Sequence, residues 1–122
     1  MPTTKVAIIT ASWHPEVCDA LVSGARRACS LAEVAKLELF TVAGSFELPL
    51  AAQFAFEKGF DAVVVVGLVL RGETPHFDYV CQGVTSGVMD VQLKFSKPIG
   101  FGVLMCDSIE QARDRCGLSE SK

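Results

Sequence analysis

Ala62-Val-Val-Val-Val-Gly-Leu-Val-Leu-Arg-Gly-Glu-Thr-Pro-His76 is the stretch on which the fold turns. Its first nine residues are apolar and do not alternate, the pattern of a strand covered on both faces rather than one with a wet side. The run ends abruptly at Arg71-Gly72-Glu73-Thr74-Pro75-His76, a loop dense in charge and hydrogen-bonding groups. Thr74 followed by Pro75 suits a helix start, with Thr as cap and Pro where no backbone donor is wanted. A buried strand is thus predicted to deliver a polar loop onto a helix N-terminus. The unpaired N–H groups and dipole at such an end suit an anion.

Working outward, Lys5-Val-Ala-Ile-Ile-Thr10 reads as a short apolar strand, and Ala11-Ser12-Trp13-His14 as the loop after it. Pro15 opens a predicted helix to about Cys29, with Val17, Ala20, Leu21, Gly24, Ala25 and Ala28 repeating on one face. Leu37–Val42 is a second strand, and a helix from about Phe46 to Lys58 follows, stopped by Gly59. A third helix runs from Pro75 to about Phe95. Val80, Val84, Val88 and Val91 turn inward on it, and Gly83 and Gly87 permit a close neighbour. Pro98–Met105 is a fourth strand. Asp107 or Ser108 caps a last short helix, with Gln111 at capping-box distance from Ser108 and Gly117 at its end.

Strand and helix alternate four times, which predicts a parallel sheet with right-handed crossovers and helices on both faces. In such sheets, ligands bind beyond the C-terminal strand ends, where the strand order reverses. The loops there hold Trp13 and His14, then Gly44 to Glu47, then Arg71 to His76, then Met105 to Ser108.

At 122 residues, one domain is expected. Half of the residues are apolar, which excludes disorder. A net charge of −3, with the basic residues scattered, argues against a nucleic-acid surface. No unbroken apolar stretch of spanning length and no cleavable leader is visible, so no membrane partner is expected. Five scattered cysteines, with no Cys-x-x-Cys pair, read as reduced thiols of a cytoplasmic protein. His14 and His76 belong to no ligand-spaced cluster, so no metal is expected. The missing Gly-x-Gly-x-x-Gly and Walker loops disfavour dinucleotides and triphosphates.

Individual residues carry two readings each. Trp13 either caps the core or stacks on a planar ring. His76 is either a surface histidine or a proton-transfer group beside an anion. Glu47 and Arg115 have sufficient explanations in helix dipoles, Glu47 at a start and Arg115 at an end. Arg71 reads as a solvated strand-end charge.

Arg71-Gly-Glu-Thr-Pro-His-Phe-Asp-Tyr79 after Gly67-Leu-Val-Leu70 closely resembles the signature of the lumazine synthase family. So do Val42-Ala-Gly-Ser-Phe-Glu-Leu-Pro49, Ser12-Trp13-His14, Phe101-Gly-Val-Leu104 and Asp107–Gly117, in order over nearly the whole chain. The resemblance implies a flavodoxin-like α/β three-layer sandwich with a four-stranded parallel sheet. It also implies condensation of 5-amino-6-ribitylaminouracil with 3,4-dihydroxy-2-butanone 4-phosphate to 6,7-dimethyl-8-ribityllumazine, phosphate and water. No cofactor is implied, and the assembly implied is a homo-oligomer, a pentamer or a multiple of pentamers, with sites at subunit interfaces.

By that resemblance, Trp13 stacks on the pyrimidine, while main-chain groups of Leu68, Val69 and Leu70 read its edge. Ser45, Phe46 and Glu47 hold the ribityl chain. Gly72, Glu73, Thr74 and Arg115 receive the phosphate, His76 transfers protons, and Phe101 is offered to an adjoining subunit. The chain is expected to be a single such domain over residues 1–122, stopping short of the family's C-terminal helix. That shortening raises a second reading, an impaired member that serves as an assembly scaffold.

Overall fold

The computed structural model describes residues 3–72 and 76–117. Four strands, β1 (Lys5–Ala11), β2 (Lys36–Val42), β3 (Ala62–Leu70) and β4 (Ile99–Cys106), form one parallel sheet in the order β2-β1-β3-β4. They alternate with helices α1 (Pro15–Leu31), α2 (Leu48–Glu57), α3 (His76–Phe95) and α4 (Ile109–Arg115). α1 and α4 cover one face, where Cys18 and Val22 pack on Ile8 and Val66, and Val17 and Ala112 pack with Leu68 and Cys106. α2 and α3 cover the other through one continuous cluster from Ala7 and Ile9 to Ile99 and Val103. This is the parallel sheet with helices on both faces that the alternation implied, and the flavodoxin-like α/β sandwich that the resemblance implied.

β3 is central and buried on both sides for most of its length, as its unbroken apolar run requires. The register is pinned at the start, where Lys5 N–H donates to the Asp61 carboxylate (2.9 Å) and Asp61 N–H to the Lys5 carbonyl (2.8 Å). β1 pairs with β3 only from Val6–Ala62 to Thr10–Val66. β4 pairs with it as far as Leu70–Cys106. The last four residues of β3, Gly67 to Leu70, therefore overhang β1 with one edge of their backbone outside the ladder.

The close approach expected at Gly83 and Gly87 is present, and the neighbours are Phe46, just before α2, and Pro49 in the first turn of α2. A methyl group on Gly87 would stand 2.7 Å from Pro49 Cγ, and one on Gly83 would meet the Phe46 ring. Positive φ angles at Gly59 and Gly117 end α2 and α4. Ser108 caps α4, its Oγ accepting from Gln111 N–H (3.2 Å), while Gln111 Oε1 accepts from Asp107 N–H (2.8 Å).

Two expectations need correction. The second helix does not begin at Phe46: Ser45–Glu47 forms a 3₁₀ turn and α2 proper starts at Leu48, with Pro49 in its first turn. The face of α1 that packs keeps Val17, Leu21 and Ala25 of the predicted line but widens to Cys18 and Val22 and loses Ala28. Val17, Cys18 and Val22 are buried, Leu21 and Ala25 pack partly, and Ala28 is exposed. The α1 residues lie over the larger side chains Ile8 and Val66, so the packed face follows Cys18 and Val22 rather than the small-residue line Ala20-Gly24-Ala28.

Candidate active site

From β1 the chain turns one way into β2, and β3 lies on the other side of β1. The loops leaving β1 and β3 therefore separate and open a crevice at the C-terminal edge, the usual ligand position in such sheets. A cleft of about 340 Å³ occupies that point. Trp13, His14, Gly44, Ser45, Phe46, Glu47, Leu68, Val69, Leu70, His76 and Val80 line it.

The wall from β1 is held by main-chain geometry. Ser12 Oγ donates to the Ala43 carbonyl (2.9 Å), tying this loop to the end of β2. His14 adopts a left-handed conformation (φ 56°) that turns the chain into α1 ahead of Pro15. The buried Cys18 thiol donates to the Trp13 carbonyl at 3.4 Å. The backbone of Trp13 is thereby fastened, while its indole remains 69% exposed. A buried core cap would have lost that exposure, so the surface of the ring is left for stacking.

The wall from β2 crosses Gly44, which separates Glu47 from the indole. A methyl group there would lie 3.1 Å from Glu47 Oε1 and 3.5 Å from Trp13 Cδ1. Ser45 is 8% exposed and presses against Gly67, which has room for no side chain of its own. Its Oγ has no hydrogen-bond partner among the described residues. A buried hydroxyl in that condition is costly unless a ligand or water completes it.

The floor is the overhang of β3. Leu68 and Val69 are buried by their side chains, but the backbone edge beyond Thr10–Val66 faces the cleft without a strand beside it. His76 and Val80 close the cleft from the first turns of α3. Burial raises the Cys81 thiol above its ordinary value, and the nearby Asp78 charge adds to this.

Arg71 is not a free strand-end charge. Its Nε donates to Asp107 Oδ1 at 2.7 Å, and its guanidinium lies 4.4 Å from the Phe77 ring centre. The Asp107 hydrogen bond raises the affinity of Arg71 for its proton further.

The structure thus brings together Trp13, Ser45, Phe46, Glu47, Leu68, Val69, Leu70 and His76 from the sequence-predicted set. Gly72 is exposed at the exit of β3 and does not line the cleft. Glu73 and Thr74 lie outside the described residues. Arg115 stands in the α1–α4 layer near the end of β4, its Nη1 3.7 Å from Cys106 Sγ. Phe101 projects from the middle of β4, opposite Val65 and well below the cleft of its own chain. His14, Gly44 and Val80 line the cleft without having been selected. His14 adjoins Trp13, but the roles of Gly44 and Val80 depend on contacts between elements. Among the described residues, no group of three or more His, Cys, Asp or Glu side chains is placed to hold a metal ion.

The cleft combines an aromatic plate, an unpaired backbone edge, a hydroxyl and a carboxylate, with an imidazole at its far end. Such a set can bind a planar heterocycle bearing a polyol chain and move protons next to it.

Comparison with known proteins points to one family. A family model described as 6,7-dimethyl-8-ribityllumazine synthase matches residues 3–122. A protein of that name from Paenarthrobacter aurescens is 54% identical over 118 residues, 97% of this chain and 73% of the relative. One from Streptomyces coelicolor is 50% identical over 117 residues, covering 96% and 73%. One from Kocuria rhizophila is 49% identical over 119 residues, covering 98% and 76%.

Proposed function

The chain belongs to the 6,7-dimethyl-8-ribityllumazine synthase family, a family of transferases, and from that premise we propose how its cleft carries out the condensation. The observation that supports this best is the overhang of β3 past β1. It leaves the backbone of Leu68, Val69 and Leu70 to read the hydrogen-bonding edge of 5-amino-6-ribitylaminouracil, with the Trp13 indole against the ring face. The unpartnered Ser45 Oγ and the Glu47 carboxylate meet the ribityl hydroxyls, together with the backbone at Phe46.

The second substrate, 3,4-dihydroxy-2-butanone 4-phosphate, is placed towards the end of β3. Its phosphate is received there by Gly72, Glu73 and Thr74, with Arg115 as its cationic partner. The amine attacks the ketone, water leaves to give an imine, phosphate is eliminated, and ring closure releases water again. His76, at the first position of α3, is positioned to move protons in these steps. The substrates carry their own reactivity, and the protein's largest contribution is to hold both in reacting geometry. No cofactor is required by this scheme.

The working form is a homo-oligomer, a pentamer or a multiple of pentamers, in the cytoplasm. Phe46, Leu50 and Phe54 form an exposed apolar line at four-residue spacing, beside an apolar groove lined by Phe40, Phe54 and Phe60. An apolar surface of that kind suits burial against another copy, and Phe101 is then available to the cleft of a neighbour. Unpaired cysteines fit a reducing compartment. Among the described residues, no helix is long and apolar enough to cross a membrane.

The test is to mix the purified protein with both substrates and follow the fluorescent lumazine together with released phosphate. Both should appear in equal amounts. In the same assay His76→Ala should lower turnover by about 10²–10⁴-fold or less, the usual worth of one acid–base group. A well-formed oligomer that makes no lumazine would overturn the enzymatic reading in favour of a scaffold.

A further inference from the structure

We infer that Arg71 is a positioning residue that sets the distance between the His76 end of the cleft and helix α4, which carries Arg115; this rests on the reading above. Arg71 is the first residue after β3, and its N–H donates to the Cys106 carbonyl at 2.9 Å, continuing the ladder with β4. Its side chain then reaches in two directions. Towards β4, Nε meets Asp107 Oδ1 at 2.7 Å, and Asp107 immediately precedes the Ser108 cap of α4. Towards α3, the guanidinium lies over the Phe77 ring, and Nη1 is 3.9 Å from Asp78 Oδ1. Phe77 and Asp78 are the residues directly after His76.

The two anchors differ in stiffness, and that makes the arrangement directional. Phe77 is buried in the large α2–α3 cluster, so its ring is a fixed plate. Asp107 is exposed, but its own N–H is held by Gln111 Oε1 within the cap of α4. A planar guanidinium can stack on the plate and direct Nε sideways to the carboxylate at the same time. An ammonium on a flexible stem cannot do both. These contacts sit at the surface, where ion pairs contribute little to global stability. Their effect is therefore geometric, on groups that must meet one substrate from two separate elements.

The experiment uses the intact oligomer of the wild type, Arg71→Gln, Arg71→Lys, Asp107→Asn and the double variant Arg71→Gln/Asp107→Asn. Arg71→Gln should lower kcat by about 10–100-fold, the scale expected when reacting groups are misplaced by about an ångström. Its KM for the uracil substrate and its thermal midpoint should stay near the wild-type values. Arg71→Lys should recover only part of the loss, and the double variant should be no worse than Arg71→Gln, because both changes remove one shared contact. Wild-type turnover in Arg71→Gln would overturn the inference. So would parallel losses for both substrates with a lowered midpoint, since that pattern marks general damage to the fold. If the wild type itself makes no lumazine, the enzymatic reading fails separately. The imidazole carbon–proton signals of His76 then decide on Arg71: a shift in Arg71→Gln supports the coupling, and unchanged signals refute it.

Discussion

The two faces of the sheet are built to different standards. On the α2–α3 face, one continuous cluster runs across three strands, and glycines bring α3 against Phe46 and Pro49. On the α1–α4 face, packing breaks into two small clusters, and α1 ends at a Leu31 that is 87% exposed. Ser45, Glu47 and His76 all stand on elements of the dense face, whereas Arg115 stands on the sparse one. Groups proposed to orient a substrate gain from a stiff support. The contrast therefore predicts that the two faces answer to the same mutation by different amounts, and at one residue type with opposite signs.

The largest difference is expected from truncating a leucine on each face. Leu48 is fully buried in the main cluster, and Leu48→Ala should cost about 2–5 kcal/mol from lost transfer energy and the cavity left behind. Leu21, partly buried on α1 between the two small clusters, should cost less when cut to alanine, about 1–2 kcal/mol, since part of its side chain already meets water. Urea midpoints measured on both variants decide this. Equal losses would mean that the α1 face is as well packed as the other.

Glycine-to-alanine changes should separate the faces by sign. At Gly87 the new methyl would crowd the rigid Pro49 ring at 2.7 Å, so overpacking of about 1–3 kcal/mol should exceed the gain in helix propensity. At Gly24 on α1 the nearest foreign atom is the mobile end of Arg27 at 3.7 Å. There the propensity gain stands alone, and Gly24→Ala should stabilise by about 0.5–1 kcal/mol. Stabilisation at both positions would show that α3 can move away from α2.

How far these features were legible in the sequence follows the same division. β3 could be placed to the residue because a nine-residue run buried on both sides leaves no phase to choose. The close approach at Gly83 and Gly87 could be inferred because only absent side chains permit it. The face of α1 was read only in part: Val17, Leu21 and Ala25 do pack, but alanines and glycine carry too little area to fix its edges, and Cys18 and Val22 were missed. The overhang of β3 depends on strand register, to which no single stretch of sequence refers. The same holds for the Arg71–Asp107 contact, whose partners are separated by a whole helix and strand. Resemblance supplied Arg115 and Phe101, and neither lines the cleft of its own chain.

A smaller effect should appear in alkali. Burial raises the Cys18 thiol on the sparse face, and likewise Cys81 on α3, above the ordinary value of about 9. Below pH 9 both the folded and unfolded chains hold these protons, so the contribution is complete. As the pH climbs past 9, the unfolded thiol ionises first and the unfolded state gains. Stability should then fall by at most about 1.4 kcal/mol per pH unit for each thiol, until the folded thiol ionises too. Cys18 is the more deeply buried of the two, so Cys18→Ala should flatten this slope more than Cys81→Ala. An unchanged slope in Cys18→Ala would show that α1 opens enough to solvate the thiol.

The smallest effect concerns the contact that joins the two helices of the sparse face. Arg113 on α4 pairs with Glu16 in the first turn of α1, and both side chains are substantially exposed. An exposed pair of this kind is worth about 0–1 kcal/mol and weakens with salt. Each partner also interacts favourably with its own helix end, Glu16 with the N-terminus of α1 and Arg113 with the C-terminus of α4, so each single change to Gln removes the pair and one such interaction. Glu16→Gln and Arg113→Gln should therefore cost about the same, about 1 kcal/mol or less at low ionic strength, with both losses shrinking in high salt. If Arg113→Gln cost more than Glu16→Gln, the α1–α4 contact would be holding α4 in place rather than resting on it. The sparse face would then be stiffer at its cleft end than its packing indicates.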